Sequence, residues 1–237
     1  MIKLLLLLLS GAKFGKLALT GGTMLLSMAV YAWIWGWPYA VGFVLMILVH
    51  EMGHYVAARQ RGLNVGAPTF IPFVGAWIQL KDLPHDAETD AYIGIAGPVA
   101  GTLAAFACFE AGRYYDSGLL IALAYAGYMI NLFNLLPLGP LDGGRVTAVV
   151  SPKIWLIGAP LLVGLFIWHP SPMFLLVALI AWPSFWNALR GRSGGGAYYD
   201  VPLQTRVNYG LAYLGLVAYL GAMTYSLHEQ LQGMRPG

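Results

Sequence analysis

Val49-His50-Glu51-Met52-Gly53-His54-Tyr55 is a polar motif near the end of an apolar segment, 38–58, that is long enough to cross a bilayer as one helix. Residues four apart on a helix lie on the same face, so His50 and His54 present their imidazoles side by side. An ionisable residue at membrane depth costs about 2.5–3.5 kcal/mol on insertion scales, so Glu51 predicts a functional site. The fold must therefore hold three ionisable side chains together among apolar helices.

The composition of the whole chain is that of a membrane protein. Of its 237 residues, 59% are hydrophobic and 10% are charged, whereas soluble domains carry about 25% charged residues. Eight Trp, fourteen Tyr and thirty Gly suit a helical protein surrounded by membrane lipid. The single cysteine, Cys108, excludes an intramolecular disulfide framework and a cysteine-based structural zinc site. A net charge of +3 is only a weak nucleic-acid signal, and no nucleic-acid partner is expected.

Seven apolar stretches approach the length of about 20 residues that a membrane-spanning helix needs. They are approximately 17–37, 38–58, 91–109, 118–137, 154–168, 172–189 and 207–227. The fifth stretch is short and contains Pro160. The predicted fold is an all-α polytopic membrane protein with about seven transmembrane helices.

The first sixteen residues, with Lys3, a run of six leucines, Lys13 and Lys16, precede the first of these stretches. A secretory signal is the alternative interpretation, but its apolar core is very short and two lysines follow it directly. We therefore expect a cytoplasmic amphipathic N-terminus, 1–16, followed by a single membrane-embedded domain, 17–237.

The basic residues predict the orientation of the spans. With a cytoplasmic N-terminus and seven spans, eleven of the thirteen basic residues fall on the cytoplasmic side, as the positive-inside rule requires. The eleven are Lys3, Lys13, Lys16, Arg59, Arg61, Lys81, Arg145, Lys153, Arg190, Arg192 and Arg206. Only Arg113 and Arg235 fall outside. Six spans would misplace the basic groups after the missing one, so the span count and the orientation support each other.

A further carboxylate, Asp142, follows the fourth span and lies three residues before Arg145. His54 lies five residues before Arg59, and the second and fourth spans both run from outside to inside. The motif and Asp142 are therefore expected at similar depth, on the cytoplasmic side of the membrane.

The backbone around Asp142 is predicted to be non-helical, because Pro137, Pro140, Gly143 and Gly144 surround it. Such backbone is tolerated at membrane depth where it lines a wet cavity. A simple turn at the end of a span is the alternative, and it would not explain an aspartate.

The spacing of the motif is that of a metal site. In H-E-x-x-H, two imidazoles meet one metal ion and the glutamate, here Glu51, acts as general base. Catalytic zinc sites use three protein ligands plus water, and Asp142 is the only other carboxylate at this depth. The alternative is a buried histidine pair satisfied by carbonyls, which would leave Glu51 without a strong positive partner.

His50-Glu51-x-x-His54 on an early span and Leu141-Asp142-Gly143 after a later one resemble the site-2 protease family of intramembrane metalloproteases. Asn134-x-x-Pro137 and Ala96-Gly97-Pro98 also match, and the resemblance covers roughly residues 40 to 145. It implies that His50, His54 and Asp142 hold one Zn²⁺ per chain. It also implies that Glu51 activates the water and that Asn134 helps to hold the substrate backbone.

One position departs from the family, which often has an asparagine four residues after Gly97. This chain has Gly101 there, so Gly97 and Gly101 are expected to form a close helix-packing face.

Residues 63–80 are too apolar for a cytoplasmic loop, and Pro68, Pro72 and Gly75 argue against a helix. We expect an extended or β segment that dips toward the membrane, as similar segments do in the family. Its unpaired strand edge can bind an unwound substrate by strand addition. The alternative is a hydrophobic plug that only packs the helices.

The resemblance implies a zinc metalloendopeptidase that cuts transmembrane proteins or peptides, with a catalytic core at about 38–145. A zinc transporter or sensor using the same ligands is one alternative, although a transporter would offer ligands along a path. A catalytically silent membrane scaffold is the other. The remaining histidines, His85, His169 and His228, are expected to face water.

Overall fold

The computed structural model describes residues 2–73, 75–168, 170–191 and 196–233. Within these ranges the chain forms eight α-helices, two 3₁₀ turns and one β-hairpin. The helices are α1 (Ile2–Trp35), α2 (Trp37–Gln60), α3 (Ala87–Tyr114), α4 (Gly118–Asn134), α5 (Asp142–Val150), α6 (Trp155–Trp168), α7 (Pro172–Leu189) and α8 (Leu203–Gly233). The strands are β1 (Val65–Ile71) and β2 (Gly75–Leu80). His169, Arg192 and Arg235 lie outside the described residues.

Each of the seven apolar stretches corresponds to one helix, and α5 is an additional short helix. By length and composition, α2, α3, α7 and α8 are able to cross a bilayer, and shorter apolar helices cover 19–35, 118–134 and 152–168. The predicted N-terminal segment and the first span belong to one continuous helix, α1. The chain is therefore a mostly helical integral membrane protein, with four helices of spanning length among the residues described.

Helices α2, α3 and α4 pack against one another at the centre of the described fold. Glycines allow these helices to approach one another closely. A Cβ at Gly53 of α2 would collide with the backbone carbonyl of Ala96 on α3, and one at Gly127 of α4 would press against Ala105. Small residues are favoured here because no hydrophobic effect drives helices together within lipid. Their association depends instead on close van der Waals packing. The α2–α3 contact lies at the polar motif itself.

The segment 63–80 forms a two-stranded antiparallel sheet, so the prediction of an extended segment is confirmed. Helix α1 covers the outer edge of β1. The hydroxyl of Thr20 donates to the carbonyl of Pro68 at 2.6 Å, and the N–H of Phe70 donates to the hydroxyl of Thr23 at 3.2 Å. The outer edge of β2 lies on the opposite side of the hairpin.

The backbone after α4 corrects part of the prediction. The fourth span was expected to continue to 137 and the glycines after Asp142 to interrupt the helix, but α4 ends at Asn134 and α5 begins at Asp142. Gly143 and Gly144 lie in the first turn of α5, where a Cβ would collide with the carbonyls of Leu135 and Leu138 respectively. Close packing onto the preceding turns outweighs the low helix propensity of glycine.

Candidate metal and catalytic centre

The structure brings the three predicted ligands together. His50 and His54 lie one turn apart on α2, and their Nε2 atoms are 3.1 Å from each other. Asp142 Oδ2, at the start of α5, lies 3.1 Å from His50 Nε2 and 3.2 Å from His54 Nε2. His50 and His54 are buried, and the Asp142 side chain is 12% exposed. Three potential ligand atoms from two helices thus converge on one point.

The hydrogen bond made by Nδ1 of each imidazole determines whether Nε2 carries a proton or a free lone pair. His54 Nδ1 donates to the carbonyl of Ile93 at 2.7 Å, and His50 Nδ1 donates to Oδ1 of Asn131 at 2.7 Å. Both acceptors are oxygens that cannot donate, so both protons of the neutral rings reside on Nδ1. The two Nε2 atoms therefore present lone pairs toward Asp142.

This donor set fits a metal ion. Two imidazole nitrogens and a carboxylate oxygen face one another at 3.1–3.2 Å, and a cation bound among them would accept both lone pairs and balance the buried carboxylate. Two nitrogens and one oxygen form a ligand set of catalytic zinc sites, which keep a fourth position open. Histidines that bind a metal usually donate their other N–H to a carbonyl or carboxylate, as these two donate to oxygens.

Glu51 follows His50 on α2 and is 8% exposed. Its carboxylate lies within electrostatic range of His50, His54 and Asp142. A carboxylate that adjoins the ligand cluster without belonging to it is suited to accept and release a proton.

Asp142 is held in place by contacts on both sides of α5. Arg145 lies with Nη1 3.9 Å from Asp142 Oδ1 and Nη2 2.8 Å from Asp90 Oδ1 on α3. The indole N–H of Trp155 donates to the carbonyl of Gly144 at 2.9 Å. The first turn of α5 is therefore joined both to α3 and to the residues that begin α6.

The two asparagines at the end of α4 have different surroundings. Asn134, which the sequence predicted to bind substrate, is the last residue of α4 and is partly buried. Asn131, which the sequence analysis missed, is 2% exposed and contacts the predicted ligand His50. A signal was present, because Asn131 is an amide inside an apolar span and lies one turn before Asn134.

Comparison with known proteins agrees with this geometry. Residues 38–117 match the model of peptidase family M50, the family of the site-2 proteases. The resemblance to the site-2 proteases is confirmed. The matched segment contains the motif on α2 and Gly97 on α3, and it ends before Asp142. The placement of Asp142 beside the two histidines is therefore a separate observation.

Two curated relatives are named as zinc metalloproteases. One, from Methanocaldococcus jannaschii, is 28% identical over 123 residues, which cover 48% of this chain and 35% of that protein. The other, Rip3 of Mycobacterium tuberculosis, is 35% identical over 139 residues, which cover 54% of this chain and 33% of that protein. The chain thus spans about a third of the length of these relatives.

Among solved structures, a site-2 protease from Methanocaldococcus jannaschii matches with a TM-score of 0.46 and 21% identity. The match covers 76% of this chain and 87% of that chain.

Proposed function

We propose that this chain is an intramembrane zinc metalloprotease that hydrolyses peptide bonds of membrane-spanning proteins or peptides. The observation that carries the proposal is the convergence of His50, His54 and Asp142 within a buried site beside Glu51. These three residues would hold one zinc ion per chain. The catalytic core comprises about residues 38–145 of a single membrane-embedded domain, 17–237, which follows a cytoplasmic N-terminus, 1–16.

The side chains divide the chemistry between them. His50, His54 and Asp142 would hold the zinc ion, which supplies a Lewis acid for the peptide carbonyl and makes water easier to deprotonate near neutral pH. Glu51 accepts a proton from the attacking water and then delivers it to the leaving amine. The surrounding helices limit access of bulk water to this site.

The substrate must be unwound before it is cut, because a transmembrane helix hides its peptide bonds in its own hydrogen bonds. The outer edge of β1 is already occupied by the hydroxyls of Thr20 and Thr23. We therefore assign strand addition to β2, whose outer edge would pair with the extended substrate. Asn134 would hold the substrate backbone, since its amide can both donate and accept.

The chain crosses the membrane seven times, with a cytoplasmic N-terminus and the active site toward the cytoplasmic side. Ionic contacts at one end of the bundle support this orientation. There Arg61 lies 3.8 Å from Glu88, and Arg145 joins α5 to α3. Both of these arginines belong to the set that the positive-inside rule assigns to the cytoplasm. Arg113, assigned to the outside, pairs instead with Glu110 of its own helix at 3.8 Å.

Replacement of Glu51 by glutamine separates proteolysis from zinc transport. An amide cannot accept a proton, and losing a general base lowers the rate about 10²–10⁴-fold. Glu51→Gln should remain folded and bind zinc, yet leave a single-span substrate uncut in detergent. Zinc uptake into proteoliposomes is measured in parallel. Wild-type protein that transports zinc and cuts nothing would support a transporter, and wild-type protein that does neither would support a sensor or a silent scaffold.

A further inference from the structure

Asn131 is a buried amide whose two polar atoms are both used within the membrane-embedded core. Its Oδ1 accepts from His50 Nδ1 at 2.7 Å, and its Nδ2 donates to the carbonyl of Gly127, four residues earlier on α4, at 2.7 Å. The bond to the Gly127 carbonyl defines which end of the amide faces His50, because exchanging Oδ1 and Nδ2 would place two acceptor oxygens against each other there. We propose that Asn131 is a positioning residue that prepares His50 for zinc, which rests on the metal site proposed above.

The acceptor controls which nitrogen of His50 carries the proton. With Oδ1 of Asn131 beside Nδ1, the proton resides on Nδ1 and the Nε2 lone pair faces Asp142. Without that acceptor, a buried N–H would lose its partner, and the tautomer with the proton on Nε2 would become competitive. That tautomer cannot bind a metal through Nε2. Loss of a hydrogen-bond partner of a metal ligand typically lowers metal affinity about 10–100-fold.

The two histidines differ in what holds them. His54 Nδ1 donates to the backbone carbonyl of Ile93, which no substitution of a side chain removes directly. His50 Nδ1 depends on a side chain from another helix, 81 residues away in the sequence. Asn131 is therefore the replaceable element in the support of the two histidines.

Gly101 on α3 makes room for this arrangement. A Cβ at position 101 would overlap Oδ1 and Nδ2 of Asn131, and Gly101 is itself buried. A methyl group there would displace the amide from His50 or separate α3 from α4. Gly101 thus acts on the metal site through Asn131, whose side chain supplies the three atoms nearest to a Cβ at that position.

A role limited to helix packing predicts a different order of effects. Asn131→Leu keeps the branch at Cγ and removes the acceptor, whereas Asn131→Asp keeps an acceptor oxygen and introduces a buried charge. For packing alone, the aspartate is the more damaging change. For positioning, the aspartate is the milder change, because a carboxylate accepts the imidazole N–H in many zinc sites.

The test measures zinc affinity of the purified full-length chain in detergent, by titrating the metal-free protein against a competing chelator. Asn131→Leu and Gly101→Ala should weaken zinc binding about 10–100-fold, and Asn131→Asp should bind close to wild type. Thr102→Val is the matched control, because the buried Thr102 neighbours Gly101 and its hydroxyl donates to the carbonyl of Pro98 within α3. Its zinc affinity should equal that of wild type.

Three results would overturn the proposal. They are wild-type affinity in Asn131→Leu, wild-type affinity in Gly101→Ala, and equal weakening by leucine and aspartate in proteins that melt like wild type. Gly101→Ala leaves Asn131 unchanged, so it remains informative if Asn131→Leu does not fold. Wild-type protein that binds zinc but cuts no substrate would refute the protease and leave the role of Asn131 intact. Wild-type protein that binds no zinc would refute both.

Discussion

Gly97 on α3 lies directly against the imidazole of His54 on α2, so closely that a Cβ at position 97 would overlap the ring at Nε2. That nitrogen is one of the three potential ligand atoms that converge on one point, together with His50 Nε2 and Asp142 Oδ2. Because Gly97 has no side chain, α2 can approach α3 closely and the imidazole of His54 has room between the two helices. Helix packing and metal binding share one steric requirement at this position.

Gly97→Ala should displace the His54 ring and lower zinc occupancy by at least about tenfold. Zinc per chain, measured by elemental analysis of purified protein, checks this. Gly215→Ala on α8 is the control, because no neighbouring atom lies within 4 Å of a Cβ at that position, and it should retain full zinc. Full zinc occupancy in Gly97→Ala would mean that the His54 ring can bind zinc from another position.

The ligand set predicts which substitutions abolish zinc binding. His50→Ala, His54→Ala and Asp142→Ala should each lose the metal, since three protein ligands are the usual minimum for a catalytic zinc site. Glu51→Gln should keep it. Elemental analysis distinguishes the two groups, and wild-type protein should contain about one zinc per chain. If Asp142→Ala still contains one zinc per chain, Asp142 is not a zinc ligand.

Asn134→Ala should slow cleavage without loss of metal, in contrast to Asn131→Leu. A hydrogen bond to the substrate backbone contributes about 0.5–1.5 kcal/mol, so we expect a decrease of about 2–10-fold in kcat/KM. A cleavage assay with a single-span substrate, run beside a zinc determination, tests both statements. If Asn134→Ala loses zinc, or cuts as fast as wild type, Asn134 does not bind the substrate.

The orientation of the chain predicts where reporter tags become accessible. Tags at the N-terminus and near Arg192 should be cytoplasmic, and a tag at the C-terminus should be on the opposite side. The eleven-to-two division of basic residues is the physical basis, because short loops rich in Lys and Arg remain in the cytoplasm. A cytoplasmic C-terminal tag in a reporter-fusion assay would mean that the chain has one span fewer than seven. The short stretch that contains Pro160 would be the first candidate for the segment that does not cross.

Some features of this protein follow from the sequence because they depend on neighbours along the chain. Apolar stretches near bilayer length predict the long helices, and the four-residue spacing of His50 and His54 places both rings on one face of α2. Pro68, Pro72 and Gly75 predict an extended segment where the hairpin forms, because proline and glycine disfavour a helix within it. In each case the feature can be predicted from the geometry of a single helix or strand.

Other features depend on how one helix meets another, and only the tertiary structure determines them. The sequence predicted a role for Asn134 but not for Asn131, because the rotation of α4 that brings Asn131 to His50 depends on its contacts with α2 and α3. The helix at Asp142 was missed for the same reason, since Gly143 and Gly144 are favoured there by close contact with the preceding turns. Local periodicity specifies which residues share a face, whereas close packing between helices specifies which faces touch.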